Sequence, residues 1–93
     1  MTANLYLPEA SAPVPAVVVS SGHSRTAKTA DYNQRFALMM VRLGMAALCF
    51  DPIGQGERSQ ILDGRHAPEH AGTTTEHQLI GLGSILVGRN TAS

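Results

Sequence analysis

The stretch Asp51-Pro52-Ile53-Gly54-Gln55-Gly56-Glu57-Arg58 directly follows an apolar run, residues 45–50, in this chain of 93 residues. The apolar run predicts a buried strand that ends at an acidic residue. Pro52 fixes φ and cannot extend a sheet ladder, while Gly54 and Gly56 permit backbone angles that are closed to other residues. The stretch therefore predicts a tightly specified loop at the carboxyl edge of a strand, which is where ligands bind in open α/β sheets.

A second strand and a helix are predicted upstream of this loop. Ala16-Val17-Val18-Val19-Ser20 is apolar and β-branched on both faces, which indicates a central parallel strand covered on both sides. A helix is predicted to begin near Asp31, which forms a capping pair with Gln34, and to end at Gly44. Its apolar positions follow helical spacing: Phe36, Met39, Met40 and Leu43. Strand, helix and strand in this order predict a βαβ crossover.

The two ends of the chain add an edge strand and a second helix. Residues 4–8 alternate polar and apolar and stop at a proline, which favours a short antiparallel or edge strand. Residues 73–88 predict a helix with a threonine cap, and with Leu79, Leu82 or Gly83, and Leu86 on one face. Three strands and two helices leave apolar faces without covers. We therefore expect residues 1–93 to be the amino-terminal portion of one incomplete α/β domain, and the isolated chain to fold poorly or aggregate.

Composition excludes several classes of function. Seven basic residues balance seven acidic ones, so no electrostatic footprint predicts nucleic acid or an anionic membrane as a partner. The apolar runs are too short to span a bilayer, and no secretory signal pattern opens the chain. Cys49 is the only cysteine, which excludes an internal disulfide and a multi-cysteine zinc site.

The loop after the first parallel strand reads Ser21-Gly22-His23-Ser24. It places successive backbone N–H groups at the carboxyl end of a strand, where such donors can stabilise a developing oxyanion. An ordinary βα turn, in which Gly22 supplies the bend, is the other interpretation of this segment alone.

Taken in their fixed order, these segments resemble the amino-terminal part of an α/β-hydrolase. The similarity is greatest to the branch that contains acetylxylan esterases and dienelactone-hydrolase-like proteins, in which Gly-Gln-Gly-Glu-Arg after the strand is familiar. The resemblance implies an α/β fold with a mostly parallel sheet and flanking helices. It implies a serine-type ester hydrolase acting on acylated carbohydrates or similar small esters, with neither a metal nor an organic cofactor. The implied site residues are His23, with Ser24 as the next candidate, as oxyanion donors, and a pocket-wall loop of Gly22, Asp51, Gly54, Gln55 and Gly56.

The chain also departs from the family pattern. The common hydrolase form has an arginine before the first glycine of the later loop and a serine two residues after the second, where this chain has Ile53 and Arg58. No Gly-x-Ser-x-Gly nucleophile elbow occurs. The catalytic Ser, Asp and His are therefore expected beyond Ser93, and the chain alone is expected to be inactive.

Other polar residues leave alternatives open. His66, His70 and His77 could suggest a metal, but Pro68 argues against the regular helix that i, i+4 ligands need, so solvated loop histidines are favoured. His77 is either a polar residue at a helix start or an ordering contact to the Asp51 loop. Glu57 and Arg58 are either a surface pair or a clamp on the loop. Asp51 is predicted to accept N–H bonds from its own glycine turn.

Two other classes of function compete with the hydrolase. A non-catalytic βαβ module could bind a partner along its open sheet edge. A dinucleotide-binding unit would use Asp51 on ribose hydroxyls, but Gly22 stands alone without the Gly-x-Gly-x-x-Gly fingerprint.

Overall fold

The computed structural model describes residues 1–67 and 72–90, which form a small mixed sheet flanked by helices. The strands are β1 (Ala3–Tyr6), β2 (Ala16–Val19) and β3 (Ala46–Phe50), in the spatial order β1-β3-β2. β2 runs parallel to β3, and β1 runs antiparallel to it. The α/β class is confirmed, but a mostly parallel sheet is wrong for the described residues, because one strand pair is parallel and the other antiparallel.

Helix α1 (Asp31–Arg42) connects β2 to β3, as the sequence predicts. Its amino end differs from the prediction: the N-cap is Ala30 and no side chain caps it. Asp31 instead pairs with Arg35 one turn later, at 2.8 Å, and the Gln34 side chain donates to the Thr29 carbonyl at 2.6 Å.

The carboxyl end of α1 follows the prediction. The Gly44 N–H donates to the Val41 carbonyl and the Met45 N–H to the Met40 carbonyl, both at 3.0 Å. These two bonds form the Schellman pattern that satisfies carbonyls at the end of a helix.

Small side chains form the core between α1 and the sheet. Ala37 of α1 packs on Ala47 and Cys49 of β3, and all three are at most 1% exposed. Tyr6, Val17, Val19 and Met40 border this core. The predicted apolar face of α1 is wrong except for Met40, since Phe36, Met39 and Leu43 are 40%, 49% and 66% exposed. The helix turns its Asn33–Ala37–Met40 side to the sheet because alanine allows the close approach.

The opposite face of the sheet is apolar and has no cover among the described residues. Leu5 and Val18 lie on either side of Leu48 in register, and they are 61% and 63% exposed. The prediction that β2 is central and covered on both sides is therefore wrong here, because β2 is an edge strand whose second face is open.

Helix α2 (Thr73–Leu86) begins beside the β3 loop and then leaves the rest of the fold. Its N-cap is Gly72, and no side chain caps it, so the predicted threonine cap is wrong. The predicted apolar face is exposed: 42% at Leu79, 59% at Leu82 and 86% at Leu86. Within the described ranges, no helix is long and apolar enough to cross a membrane.

Val17 and Val18 allow a matched test of the two sheet faces. We expect Val18→Ser to reduce hydrophobic-dye binding and light scattering by the 93-residue chain, because Val18 belongs to the open face. Val17→Ser should instead lower helical content and increase dye binding, because it removes apolar contact from the α1 interface, worth about 1–2 kcal/mol. Dye fluorescence, light scattering and far-UV circular dichroism are measured on both variants. Equal responses of the two variants would contradict the assignment of faces.

Candidate functional site

Two loops meet at one edge of the sheet. Because β2 and β3 are parallel, the segments that follow them leave the sheet on the same side. The pairing of Ala3 with Phe50 brings the start of β1 to this edge as well. Residues 20–30 and 51–59 therefore lie together, and the predicted site residues fall within them.

Asp51 is the most enclosed polar group of this edge. It is fully buried, and its carboxylate accepts hydrogen bonds from the Thr2 hydroxyl at 2.7 Å and the Glu57 backbone N–H at 3.3 Å. Lys28 donates to it twice, from its ammonium at 2.5 Å and its backbone N–H at 3.1 Å. The Lys28 ammonium also contacts the Glu57 carboxylate, which is largely exposed. The predicted N–H bond from the glycine turn to Asp51 is confirmed, and its donor is Glu57. Asp51, Lys28, Thr2 and Glu57 together form the Asp51 cluster.

The pKa directions show that Lys28 and Asp51 are held as an ion pair. Burial acts to lower the pKa of Lys28, but hydrogen bonds to Asp51 and Glu57 and the attraction of both carboxylates outweigh it and raise that pKa above its ordinary value. Burial likewise acts to raise the pKa of Asp51, and the bonds from Lys28, Thr2 and Glu57 lower it instead. Both groups stay charged at neutral pH because each stabilises the other.

Gly54 and Gly56 are required by close contacts as well as by backbone angles. Their φ values are +72° and +55°. A Cβ at Gly56 would lie 2.5 Å from Oδ1 of Asp51, and one at Gly54 would lie 2.7 Å from a ring carbon of His77. The two glycines therefore allow the loop to close over the Asp51 carboxylate on one side and the His77 ring on the other.

Gln55 joins this loop to the one that follows β2. Its side chain is 4% exposed, and its Oε1 accepts a hydrogen bond from the Ser24 backbone N–H at 2.7 Å. The Gly56 N–H donates to the Arg25 carbonyl at 3.2 Å. Within residues 1–67 and 72–90, nothing accepts a hydrogen bond from the His23 backbone N–H. Of the two predicted oxyanion donors, the N–H of Ser24 is therefore occupied and that of His23 is available.

Two histidine rings join α2 to both loops. His77 Nε2 lies 2.5 Å from the Ile53 carbonyl, and His77 Nδ1 lies 3.1 Å from Nε2 of His23. A carbonyl oxygen only accepts, so in the neutral rings the N–H of His77 is on Nε2 and donates to Ile53. His77 Nδ1 is then the acceptor, and it receives the N–H of His23 Nε2. The predicted ordering contact between His77 and the Asp51 loop is confirmed, and the contact to His23 extends it.

Glu76 adds a second attachment of α2. It is 2% exposed, and its carboxylate accepts the backbone N–H of Gln60 and, at 3.3 Å, that of Ile61. Gly54 and Gly56 line a cavity of about 40 Å³ between the loop and the start of α2. The first turn of α2 thus packs against the loop that follows β3 and forms one wall of this cavity.

The remaining predicted residues have separate positions. Gly22 is exposed in the loop after β2, and the Arg58 guanidinium donates to the Asp51 carbonyl at 3.2 Å. Arg58 and Glu57 are therefore not a surface pair. Arg58 contacts the Asp51 carbonyl, and the Glu57 carboxylate contacts Lys28. His66 is exposed in a turn, while His70 and Ser93 lie outside the described residues. Among the residues described, no group of three His, Cys, Asp or Glu side chains is placed to hold a metal ion.

Sequence reasoning missed Lys28, Thr2 and Glu76. A signal for Lys28 existed, because a buried aspartate needs a cation and the loop after β2 reaches the same edge with Arg25 and Lys28 as its basic residues. No local pattern marks Thr2 or Glu76, whose contacts cross 49 and at least 15 positions of the chain.

Comparison with protein-family models, curated proteins and solved structures gives no match to this chain.

Gly56 and Gly64 form a matched pair for testing the loop geometry. Gly56→Ala should lower the free energy of unfolding, because it combines a positive φ with a clash against Asp51. Gly64→Ala should have little effect, since nothing lies within 4 Å of its Cβ position. Urea unfolding is measured on the protein translated from the whole open reading frame that encodes this sequence (the full reading-frame protein). Equal midpoints for the two variants would contradict the described loop.

The Lys28–Asp51 pair predicts loss of stability at both pH extremes. Asp51 has a lowered pKa when folded, so its contribution is present above its unfolded pKa and is lost as pH falls through the folded value. Lys28 has a raised pKa, so its contribution is lost as pH rises through the folded value. Asp51→Asn should cost about 3 kcal/mol at neutral pH, because it leaves a buried cation short of a partner.

The measurement is the free energy of unfolding of the full reading-frame protein from pH 2 to pH 7. Asp51→Asn should flatten the acid side of the curve, whereas Glu9→Gln, at an exposed carboxylate, should leave it unchanged. An unchanged acid slope in Asp51→Asn would show that the pair does not carry the dependence.

Proposed function

We propose that the chain is the amino-terminal part of a serine-type ester hydrolase with the α/β-hydrolase fold, similar to the acetylxylan esterase and dienelactone-hydrolase-like branch. Its substrates are small esters, with acylated carbohydrates as the favoured class. The observation that carries the proposal is the joined pair of loops at the carboxyl edge of β2 and β3, which leaves the His23 N–H available.

The role of this chain is to stabilise negative charge on the substrate. In acyl transfer, a serine activated by histidine attacks the ester carbonyl, and the carbonyl oxygen becomes an oxyanion. The His23 N–H donates to that oxygen, while the bond from Ser24 to Gln55 removes the competing donor. Such a donor lowers the barrier by about 3 kcal/mol, because it is oriented before the charge develops. The serine, the acid and the base come from residues beyond Ser93.

Three uncovered apolar surfaces support the larger domain. One is the sheet face of Leu5, Leu48 and Val18, and another is the side of α1 that carries Phe36 and Leu43. The third is α2, whose apolar side chains are exposed along its length. In an α/β domain, further strands and helices cover such surfaces.

A fluorophosphonate probe tests the proposal, because it labels an activated serine covalently. We expect the full reading-frame protein to be labelled at a serine beyond Ser93, within a Gly-x-Ser-x-Gly segment, and to hydrolyse p-nitrophenyl acetate. Absence of such a segment, or of labelling, contradicts the proposal and redirects attention to a binding role.

Substitution of His23 tests the donor. His23→Pro removes the N–H and should lower kcat by about 10²–10³-fold. His23→Ala keeps the N–H and should retain most of the activity. Circular dichroism controls for folding. If His23→Pro does not fold, the amide proton resonance of His23 gives the second measurement, since it should move downfield when the phosphonyl oxygen occupies the oxyanion site. Equal activity of both variants, or an unmoved resonance, contradicts the donor role.

A further inference from the structure

We propose that Gln55 is a positioning residue that holds the loop after β2 in the conformation in which the His23 N–H is free to meet an oxyanion. The inference rests on the proposed function and assigns to Gln55 a role beyond that of a pocket wall.

The contact is partly buried, with the Gln55 side as the enclosed one, and it is directional. Gln55 is 4% exposed and in extended conformation, with φ −135° and ψ 150°. Its Oε1 lies 2.7 Å from the Ser24 nitrogen. Since a backbone N–H only donates, the acceptor must be the amide oxygen, which fixes the orientation of the side-chain amide. A hydrogen bond that is partly shielded from water holds its geometry more firmly than a fully exposed one, because less solvent competes for it.

Fixing the Ser24 N–H constrains the position of the His23 N–H. The peptide between His23 and Ser24 is planar, so the bond to Gln55 sets the orientation of that whole plane. Only the φ and ψ angles of His23 separate this plane from the N–H that would meet the oxyanion. Beyond the contact, the Ser24 hydroxyl accepts the Ala27 N–H at 3.1 Å, which holds the next turn of the loop.

Gln55 is itself held on a fixed base. The Gly56 N–H donates to the Arg25 carbonyl at 3.2 Å, and the Gly54 N–H donates to the Arg58 carbonyl at 2.9 Å. Backbone bonds on both sides of Gln55 therefore locate its Cα. The close fit of Gly56 over the buried Asp51 fixes the loop to the sheet.

The test compares Gln55→Met with Gln60→Met in the full reading-frame protein. Methionine keeps the length of the side chain and removes the amide acceptor. Gln60 lies in the same segment, but its side chain is exposed and donates to the Arg58 carbonyl instead. We expect Gln55→Met to lower kcat for p-nitrophenyl acetate by about 10–100-fold, because a 1 Å misplacement in a catalytic site has an effect of that order. KM should stay near its original value, and Gln60→Met should change neither constant.

A second measurement follows the contact directly. Hydrogen exchange of the Ser24 amide should become faster in Gln55→Met and remain unchanged in Gln60→Met. If Gln55→Met does not fold, Gln55→Asn replaces it; this variant keeps the amide but shortens the side chain, so it should show the same two effects at smaller size.

The outcomes distinguish failure of the Gln55 role from failure of the proposed ester hydrolase function. A labelled serine in the unaltered protein with normal kcat in the Gln55 variants overturns the positioning role and leaves the proposed function standing. Faster Ser24 exchange without a fall in kcat also overturns it, because the contact would then be structural only. Equal effects of the Gln55 and Gln60 variants overturn it as well. Absence of serine labelling in the unaltered protein overturns the proposed function and the role of Gln55 together.

Discussion

The ion pair between Lys28 and Asp51 is the contact on which the arrangement of the loops depends. Asp51 directly follows β3 in a fully buried position, where an unpaired carboxylate would be costly. Lys28 supplies both its ammonium and its backbone N–H, so it neutralises the charge and also fixes the main chain of the loop after β2. Thr2 and the Glu57 N–H complete the coordination of the carboxylate. Three separate segments of the chain thus converge on one carboxylate.

This convergence gives the neighbouring loops a defined shape. With the two loops in contact, Gln55 reaches the Ser24 N–H and Gly56 reaches the Arg25 carbonyl. His77 then contacts both the Ile53 carbonyl and His23, which attaches the start of α2 to the same edge. At this edge the Ser24 N–H is committed to Gln55, and the His23 N–H is the donor that the proposed function uses.

The same fold leaves large apolar side chains exposed elsewhere. Its core is built from small residues, Ala37, Ala47 and Cys49, while Leu5, Val18 and Leu82 are more than half exposed. A core of this size buries little apolar area for the number of residues ordered, so hydrophobic stabilisation is modest. Among the described residues, the buried polar side-chain atoms have hydrogen-bond partners, whereas many large apolar side chains are exposed. The described residues therefore leave one face of the sheet and much of α2 without an apolar cover.

Sequence patterns alone predict the order of the elements and the loop that follows β3. Period and composition locate β3, the βαβ unit and the end of α1 at Gly44, because these follow from local backbone preferences and from burial of apolar runs. The proline and glycines after Asp51 likewise determined the loop at the sheet edge. Local preference could not predict which side of α1 packs against the sheet, because that depends on how closely Ala37 approaches β3. In the structure the Ala37 side faces the sheet and Phe36 is exposed. Nor could local preference pair Asp51 with Lys28 or Ser24 with Gln55, since these partners lie 23 and 31 positions apart. These contacts depend on the three-dimensional arrangement of the strands, because the parallel pairing of β2 with β3 brings both loops to one edge.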